Sequence, residues 1–291
     1  MNEDDVARSA QLALLLEVSA YPKPGNVDRT HNFTDTRYEH FLASSVALYP
    51  IFRDAAVQGR STGTGLGSLV KRGVEESRAW QRGGNTHFGA LLLLAPLTMA
   101  AGVCEHYEPL ELQRRATEIM RCTTVDDAIA VYQAFPKARV KVRTVVPEFD
   151  LTSEAAIDEI RAKAYTLYQI FSISAAYDVI SRELVGGFER TFKSAAALSE
   201  LAGTESINEA ITHTYLRLLA AEEDTFITMK FGSERSSYVR KRAKNIVDNG
   251  FKEEEVEVFD NELVSARLNP GSTADLIAAA LFPCILGGLR F

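Results

Sequence analysis

Five short segments carry polar or conformationally special residues where apolar packing would be easier. Pro22-Lys23-Pro24-Gly25-Asn26-Val27-Asp28 joins two prolines that fix φ to a glycine that admits turns closed to other residues. It predicts a stiff loop displaying Lys23, Asn26 and Asp28, or more plainly a helix-stopping turn. Asp35 and Glu39 lie four apart, on one face of a helix beginning near Thr36. With Asp28 they could hold a hard, oxygen-loving cation such as Mg2+, although Glu39 could equally close a capping box. Gly83-Gly84-Asn85-Thr86-His87-Phe88-Gly89 reads as a glycine-rich helix entry whose free N–H groups suit a phosphate. His87 there is a proton carrier or a hydrogen-bonded core histidine. Asp224, Thr225 and Lys230 set an acid, a hydroxyl and an amine near a helix end. Asn269-Pro270-Gly271-Ser272-Thr273-Ala274-Asp275 opens the last apolar helix, as an anion site or as a second capping box.

The elements that must position these segments read as helices. Leu12, Leu15, Leu16 and Ser19 follow helical spacing, as do Ile207, Ile211, Tyr215, Leu218 and Leu219. Ile160, Ala164, Leu167, Phe171 and Ser174 predict one further helix. Thr36 to Glu39 and Ser272 to Asp275 predict capping boxes. Glu17 continues the Val6, Ala10, Ala13 stripe and Asp178 continues the Ile160 to Ser174 stripe, where a charge is costly unless paired. Gly59 to Ser68 reads as a loop, Pro136 to Ser153 as the longest irregular connection, and Pro283 as a kink or stop. Arg139 to Arg143 carries the one β-like alternation. The expectation is one all-α domain over residues 1–291.

The chain has 291 residues, 46% hydrophobic and 24% charged, which excludes disorder. Three widely spaced cysteines exclude a disulfide scaffold. A formal net charge of −7 recommends no nucleic-acid partner, and the basic run Arg235 to Lys244 reads as solvated surface before the acidic run Glu253 to Glu257. Met1 to Arg8 is polar and acidic, unlike a signal peptide. The apolar run Ala90 to Val103 is interrupted by Pro96 and is shorter than the roughly 20 residues that cross a bilayer. A soluble cytoplasmic protein with no membrane partner is expected, as monomer or homodimer. No CxxC, HExxH, GxSxG or strand-linked GxGxxG is present.

Taken in order, Pro22 to Asp28, Asn85 to Ala90, Tyr177-Asp178 with Arg182-Glu183, Asp224-Thr225 and Pro270 to Leu276 resemble the triphosphoribosyl-dephospho-CoA synthase family. The resemblance runs from about Ala13 to Leu286 and is closer to archaeal members. It departs where bacterial members carry Gly-Ala-His-x-Asp-Met, since this chain reads Asn32-Phe33-Thr34-Asp35-Thr36-Arg37. Phe88 also stands where a lysine is common.

The resemblance implies an all-helical enzyme that moves the triphosphoribosyl group of ATP to the 2′-hydroxyl of dephospho-CoA and releases adenine. The product would serve acyl-carrier enzymes downstream. It implies Mg2+, with Asp28, Asp35, Asp224 and Asp275 as metal ligands and His87, Asp28 and Asp35 as catalytic groups. Lys23, Gly25, Asn26, Asn85, Thr86, Thr225, Lys230, Ser272 and Thr273 would bind substrate and its phosphates. Two other readings stay open: a Mg2+-dependent N-glycosyl hydrolase of a nucleotide or ADP-ribose, and a nucleotide-binding protein without turnover.

Overall fold

A computed structural model describes residues 1–139 and 155–291, and among these every regular element is an α-helix. In the first half these are α1 (Glu3–Ser19), α2 (Tyr38–Ser61), α3 (Leu66–Trp80), α4 (Phe88–Val103), α5 (Pro109–Arg121) and α6 (Val125–Ala138). The short α7 (Ala156–Lys163), α8 (Leu167–Ser174) and α9 (Val179–Val185) follow. The second half continues with α10 (Glu189–Leu201), α11 (Ile207–Ala221) and α12 (Thr225–Phe231). It closes with α13 (Ser233–Asp248), α14 (Glu253–Ala266) and α15 (Gly271–Leu286).

Two helices that are apolar on all sides form the centre, as such helices must to hide their surface. α4 is buried from Phe88 to Gly102 and α15 is buried along nearly its whole length. They pack on each other, and α1 packs on both. α2, α3, α5 and α9 also touch α4, while α10, α11 and α12 touch α15. The α2–α4 seam is backbone against backbone. A methyl on Gly59 would lie 2.0 Å from the Met99 carbonyl oxygen, and one on Gly102 would lie 1.9 Å from that of Ala56. Among the described residues no helix is long and apolar enough to cross a membrane.

Several expectations change. The buried face of α1 is Val6, Ala10, Ala13, Leu14 and Glu17, so the Leu12, Leu15, Leu16 stripe only flanks the core. The Ile160 to Ser174 stripe is two helices, because Ala164 turns left-handed at φ 54° and ends α7. Asp178 therefore caps α9 through Ser181 N–H at 2.8 Å. The loop after α2 is only residues 62–65. Pro96, Pro136 and Pro283 all lie inside helices, and residues 140–153 of the expected irregular connection lie outside the described residues. Arg139 is the left-handed end of α6, and the rest of the alternation, Val140 to Arg143, lies outside the described residues.

Candidate active site

The Pro22–Asp28 loop turns Lys23, Asn26 and Asp28 inward instead of displaying them. Lys23 is fully buried, and its Nζ donates to the Glu17 carbonyl at 2.8 Å and to the Glu17 carboxylate. Glu17 thus finds the partner that its place on the apolar stripe demanded. Burial pushes its carboxyl up, and Lys23 opposes that shift. Gly25 sits at φ 75°, and an added methyl would lie 2.3 Å from the Leu268 carbonyl oxygen. Only glycine meets both conditions. Tyr215 Oη donates to the Pro24 carbonyl at 2.9 Å, and Asn26 Nδ2 donates to Asn269 Oδ1 at 3.0 Å.

The loop ends at a buried carboxylate pair. Asp28 Oδ1 accepts from Thr30 N–H and Oγ1, both at 2.7 Å, and from His31 N–H at 2.8 Å. Asp260 Oδ1 accepts from Gly25 N–H at 2.9 Å. The second oxygen of each acid is buried and receives no hydrogen bond. Asp260 Oδ2 lies 3.1 Å and Asp28 Oδ2 3.6 Å from His31 Nδ1. Burial raises the Asp260 carboxyl to about 6 against the pull of Gly25 N–H and His31.

His87 ends the glycine-rich segment just before α4. Its Nδ1 lies 3.0 Å from Ser44 Oγ, which in turn lies 2.8 Å from Ser77 Oγ. Phe41 meets the ring edge-on at 5.0 Å. Nε2 is buried and without a partner in the protein. Burial first, and then Lys23, lowers the imidazole to about 3, so the ring is neutral at physiological pH. Asn85 Oδ1 caps α4 through Phe88 N–H at 3.1 Å, and Thr86 beside it is partly buried.

A shared device ties the remaining segments together. α3, α4, α10 and α15 have N-cap residues that contribute no side-chain acceptor. Each takes a carboxylate from another element, where the first-turn N–H groups and the helix dipole favour negative charge. Asp127 accepts from Gly67 N–H at 2.8 Å, and Glu183 from Thr191 N–H at 2.7 Å. Asp275 Oδ1 accepts from Ala90 N–H at 2.9 Å. Asp224 Oδ2 accepts from Thr273 N–H and Oγ1 at 2.8 Å, while its Oδ1 caps α12 through Ile227 N–H at 3.1 Å. Asp275 therefore closes no capping box on its own helix. The anion sites expected at α4 and α15 hold the protein's own carboxylates. Burial raises Asp224 to about 6 against the Thr273 and Ile227 hydrogen bonds, and it raises Asp275 well above the usual range.

Other nominated residues sit elsewhere. Thr225 Oγ1 bridges Asp178 Oδ1 at 3.4 Å and Ser272 Oγ at 3.2 Å, knitting three helix starts together. Lys230 is exposed at the far end of α12, with its Nζ over the Phe231 ring at 5.0 Å. Asp35 is exposed and precedes α2, which starts at Tyr38, so Asp35 and Glu39 share no helix face. The Thr36 capping box is absent for the same reason. Arg37 is the N-cap, and its own N–H donates to His40 Nδ1 at 3.1 Å.

Direct hydrogen bonds nevertheless connect all five segments. Asn26 reaches Asn269, Asp275 reaches Ala90, Thr273 reaches Asp224, and Gly84 N–H donates to the Asp35 carbonyl at 2.7 Å. Residues 3–290 match the family model CitG, ATP:dephospho-CoA triphosphoribosyl transferase. The chain belongs to the triphosphoribosyl transferase family. A 2-(5″-triphosphoribosyl)-3′-dephosphocoenzyme-A synthase of Klebsiella pneumoniae is 26% identical over 97% of this chain and 91% of its own length. A relative from Streptococcus equi subsp. zooepidemicus with the same assignment is 26% identical over 96% and 95%. A crystal structure from Archaeoglobus fulgidus, assigned as a triphosphoribosyl-dephospho-CoA synthase, superposes with TM-score 0.70 at 27% identity. It covers 86% of this chain and all of its own.

Within this triphosphoribosyl transferase two polar residues escaped the motif reading. Asp260 lies on the buried Val256, Phe259, Leu263 face of α14, the same signal that singled out Glu17. His31 carries no periodic signal, being one histidine in a polar loop. Of the four acids nominated for Mg2+, Asp28 alone keeps a buried oxygen without a hydrogen-bond donor. The unpartnered oxygens of Asp28 and Asp260 fit a divalent cation, whereas Asp224 and Asp275 are engaged at helix starts and Asp35 is exposed.

Proposed function

We propose that this chain transfers the triphosphoribosyl group of ATP to the 2′-hydroxyl of dephospho-CoA, with a divalent cation, Mg2+ in the first instance. In this reaction the bond from the ribose anomeric carbon to adenine breaks, and adenine leaves with the electron pair. The acceptor oxygen forms the new bond and gives up its proton. Family membership supports the reaction class. The observation that carries the site assignment is the hydrogen-bonded convergence of the Pro22–Asp28, Asn85–His87, Asp224 and Asn269–Asp275 segments.

Positive charge develops on the ribose, and buried carboxylates nearby stabilise it. Asp28 and Asp260 would hold the cation, which when bound offsets triphosphate charge. Lys23, buried and held by Glu17, fixes the Pro22–Asp28 loop against the end of α1. His87 acts as a neutral ring, with Nε2 accepting a hydrogen bond from the acceptor hydroxyl or donating one to the leaving base. The substrates are soluble, and a cytoplasmic location suits them. The product would feed enzymes that load an acyl-carrier subunit.

Mass spectrometry of products from ATP, Mg2+ and dephospho-CoA tests the reading. Adenine release that needs the acceptor, with a product heavier by the triphosphoribosyl group, is expected. Release without the acceptor would make the chain a hydrolase. Tight ATP binding with no adenine formed would make it a binding protein.

A further inference from the structure

We propose that Asp28, Asp260 and His31 form one three-ligand centre that prefers a first-row transition ion of the Mn2+ class to Mg2+. The inference rests on the divalent-cation part of the function proposed above and adds the third ligand and the identity of the ion. One ligand atom from each residue lies within 4.8 Å of the other two, a spacing that one ion can bridge. Asp28 and Asp260 are 0% and 1% exposed, and the free Oδ2 of each lies next to the His31 ring nitrogen.

These oxygens carry the argument. A buried carboxylate oxygen normally has a donor, and leaving it without one costs free energy. Here two such oxygens accept no hydrogen bond, and both face His31 Nδ1, at 3.1 Å from Asp260 Oδ2 and 3.6 Å from Asp28 Oδ2. The backbone donors around them are directed elsewhere. Gly25 N–H, Thr30 and the His31 N–H are already spent on the two Oδ1 atoms. Each Oδ1 is thereby fixed, and each Oδ2 is aimed.

The ligand types select the ion. Mg2+ favours oxygen-only shells and keeps its waters, whereas imidazole nitrogen suits first-row transition ions. Two carboxylates and one imidazole make a mixed set. Because Mn2+ stands lowest in the first-row affinity order, a preference for Mn2+ over Mg2+ is the minimum that such a set should show. His31 is 22% exposed on its side chain, so the centre has one side open to solvent, where water or a phosphate oxygen would complete the shell. The ion would also join α14 to the Pro22–Asp28 loop, because Asp260 holds Gly25 and Asp28 ends that loop.

Mn2+ binding to the full chain without nucleotide, followed by electron paramagnetic resonance with nitrogen hyperfine detection, tests this centre. One Mn2+ per chain is expected, at least tenfold tighter than Mg2+ in competition, with an imidazole nitrogen signal. His31→Ala, which changes a partly exposed loop residue, should abolish the nitrogen signal and weaken Mn2+ at least tenfold. Asp260→Asn should weaken it further. No Mn2+ binding, binding without the nitrogen signal, or unchanged affinity in His31→Ala would overturn the centre. The adenine-release assay with ATP and dephospho-CoA, run with Mg2+ alone on the same protein, reports the transfer reaction separately.

Discussion

Lys23 Nζ reaches both the carboxylate and the main-chain carbonyl of Glu17, six residues earlier and across the end of α1. The pair is shut away from solvent, at 0% and 4% side-chain exposure. Removing one partner strands the other charge in a low-dielectric interior, which costs about 3–5 kcal/mol. Lys23→Met is therefore expected to destabilise the chain by that order in urea titration. The double variant Glu17→Gln with Lys23→Met should recover most of the loss. If the double variant is no more stable than Lys23→Met alone, the pairing does not carry the energy.

Asp224 gives the fold a dependence on pH of known sign. Folding raises its carboxyl from 3.8 to about 6. The folded chain thus holds the extra proton between those values, and the contribution of Asp224 to stability falls as pH rises through that window. The change is on the order of 3 kcal/mol. Asp224→Asn lacks the titration, so the wild type should gain on the variant when both are moved from pH 7 to pH 4. Parallel stability curves in chemical denaturation would refute this.

His87 is expected to stay uncharged wherever the protein is folded. Its imidazole is lowered to about 3 by burial and by Lys23. Nitrogen NMR should show a neutral ring down to pH 5, with Nδ1 engaged by Ser44. His87→Ala should cut adenine release by about 10²-fold or more. A ring that titrates near 6.5 would contradict the buried placement.

Gly25 tolerates no side chain. Alanine there combines a left-handed backbone with a methyl 2.3 Å from the Leu268 carbonyl. A cost of at least about 2 kcal/mol is expected in thermal or urea unfolding, from strain and displaced packing together. Stability within about 0.5 kcal/mol of wild type would show that the loop rearranges freely.

The helices were legible wherever the pattern is local. Ile211, Tyr215 and Leu219 line the buried face of α11 as their spacing predicts, and the glycine-rich entry to α4 stands where it was read. Spacing misled where a single residue turned left-handed, since nothing in Ala164 itself announces φ 54°. The motif residues converged, but their roles were hidden by distance along the chain. Asp224 caps a helix 49 residues away and Asp275 one 185 residues back, so a local reading assigns each to its own helix. Asp260 was readable by the rule that found Glu17: a charge on a buried stripe requires a partner.

The α2–α4 seam runs from the site to a glycine contact. Ser44 meets His87 near the starts of these helices, and Gly59 and Gly102 interlock near their ends, so the two rods run the same way. Some 15 residues of α2, about 22 Å at helical rise, separate the two contacts. A single methyl at either glycine would force the two backbones apart at that end. The spacing of the two helices that carry Ser44 and His87 thus depends on two positions that have no side chain.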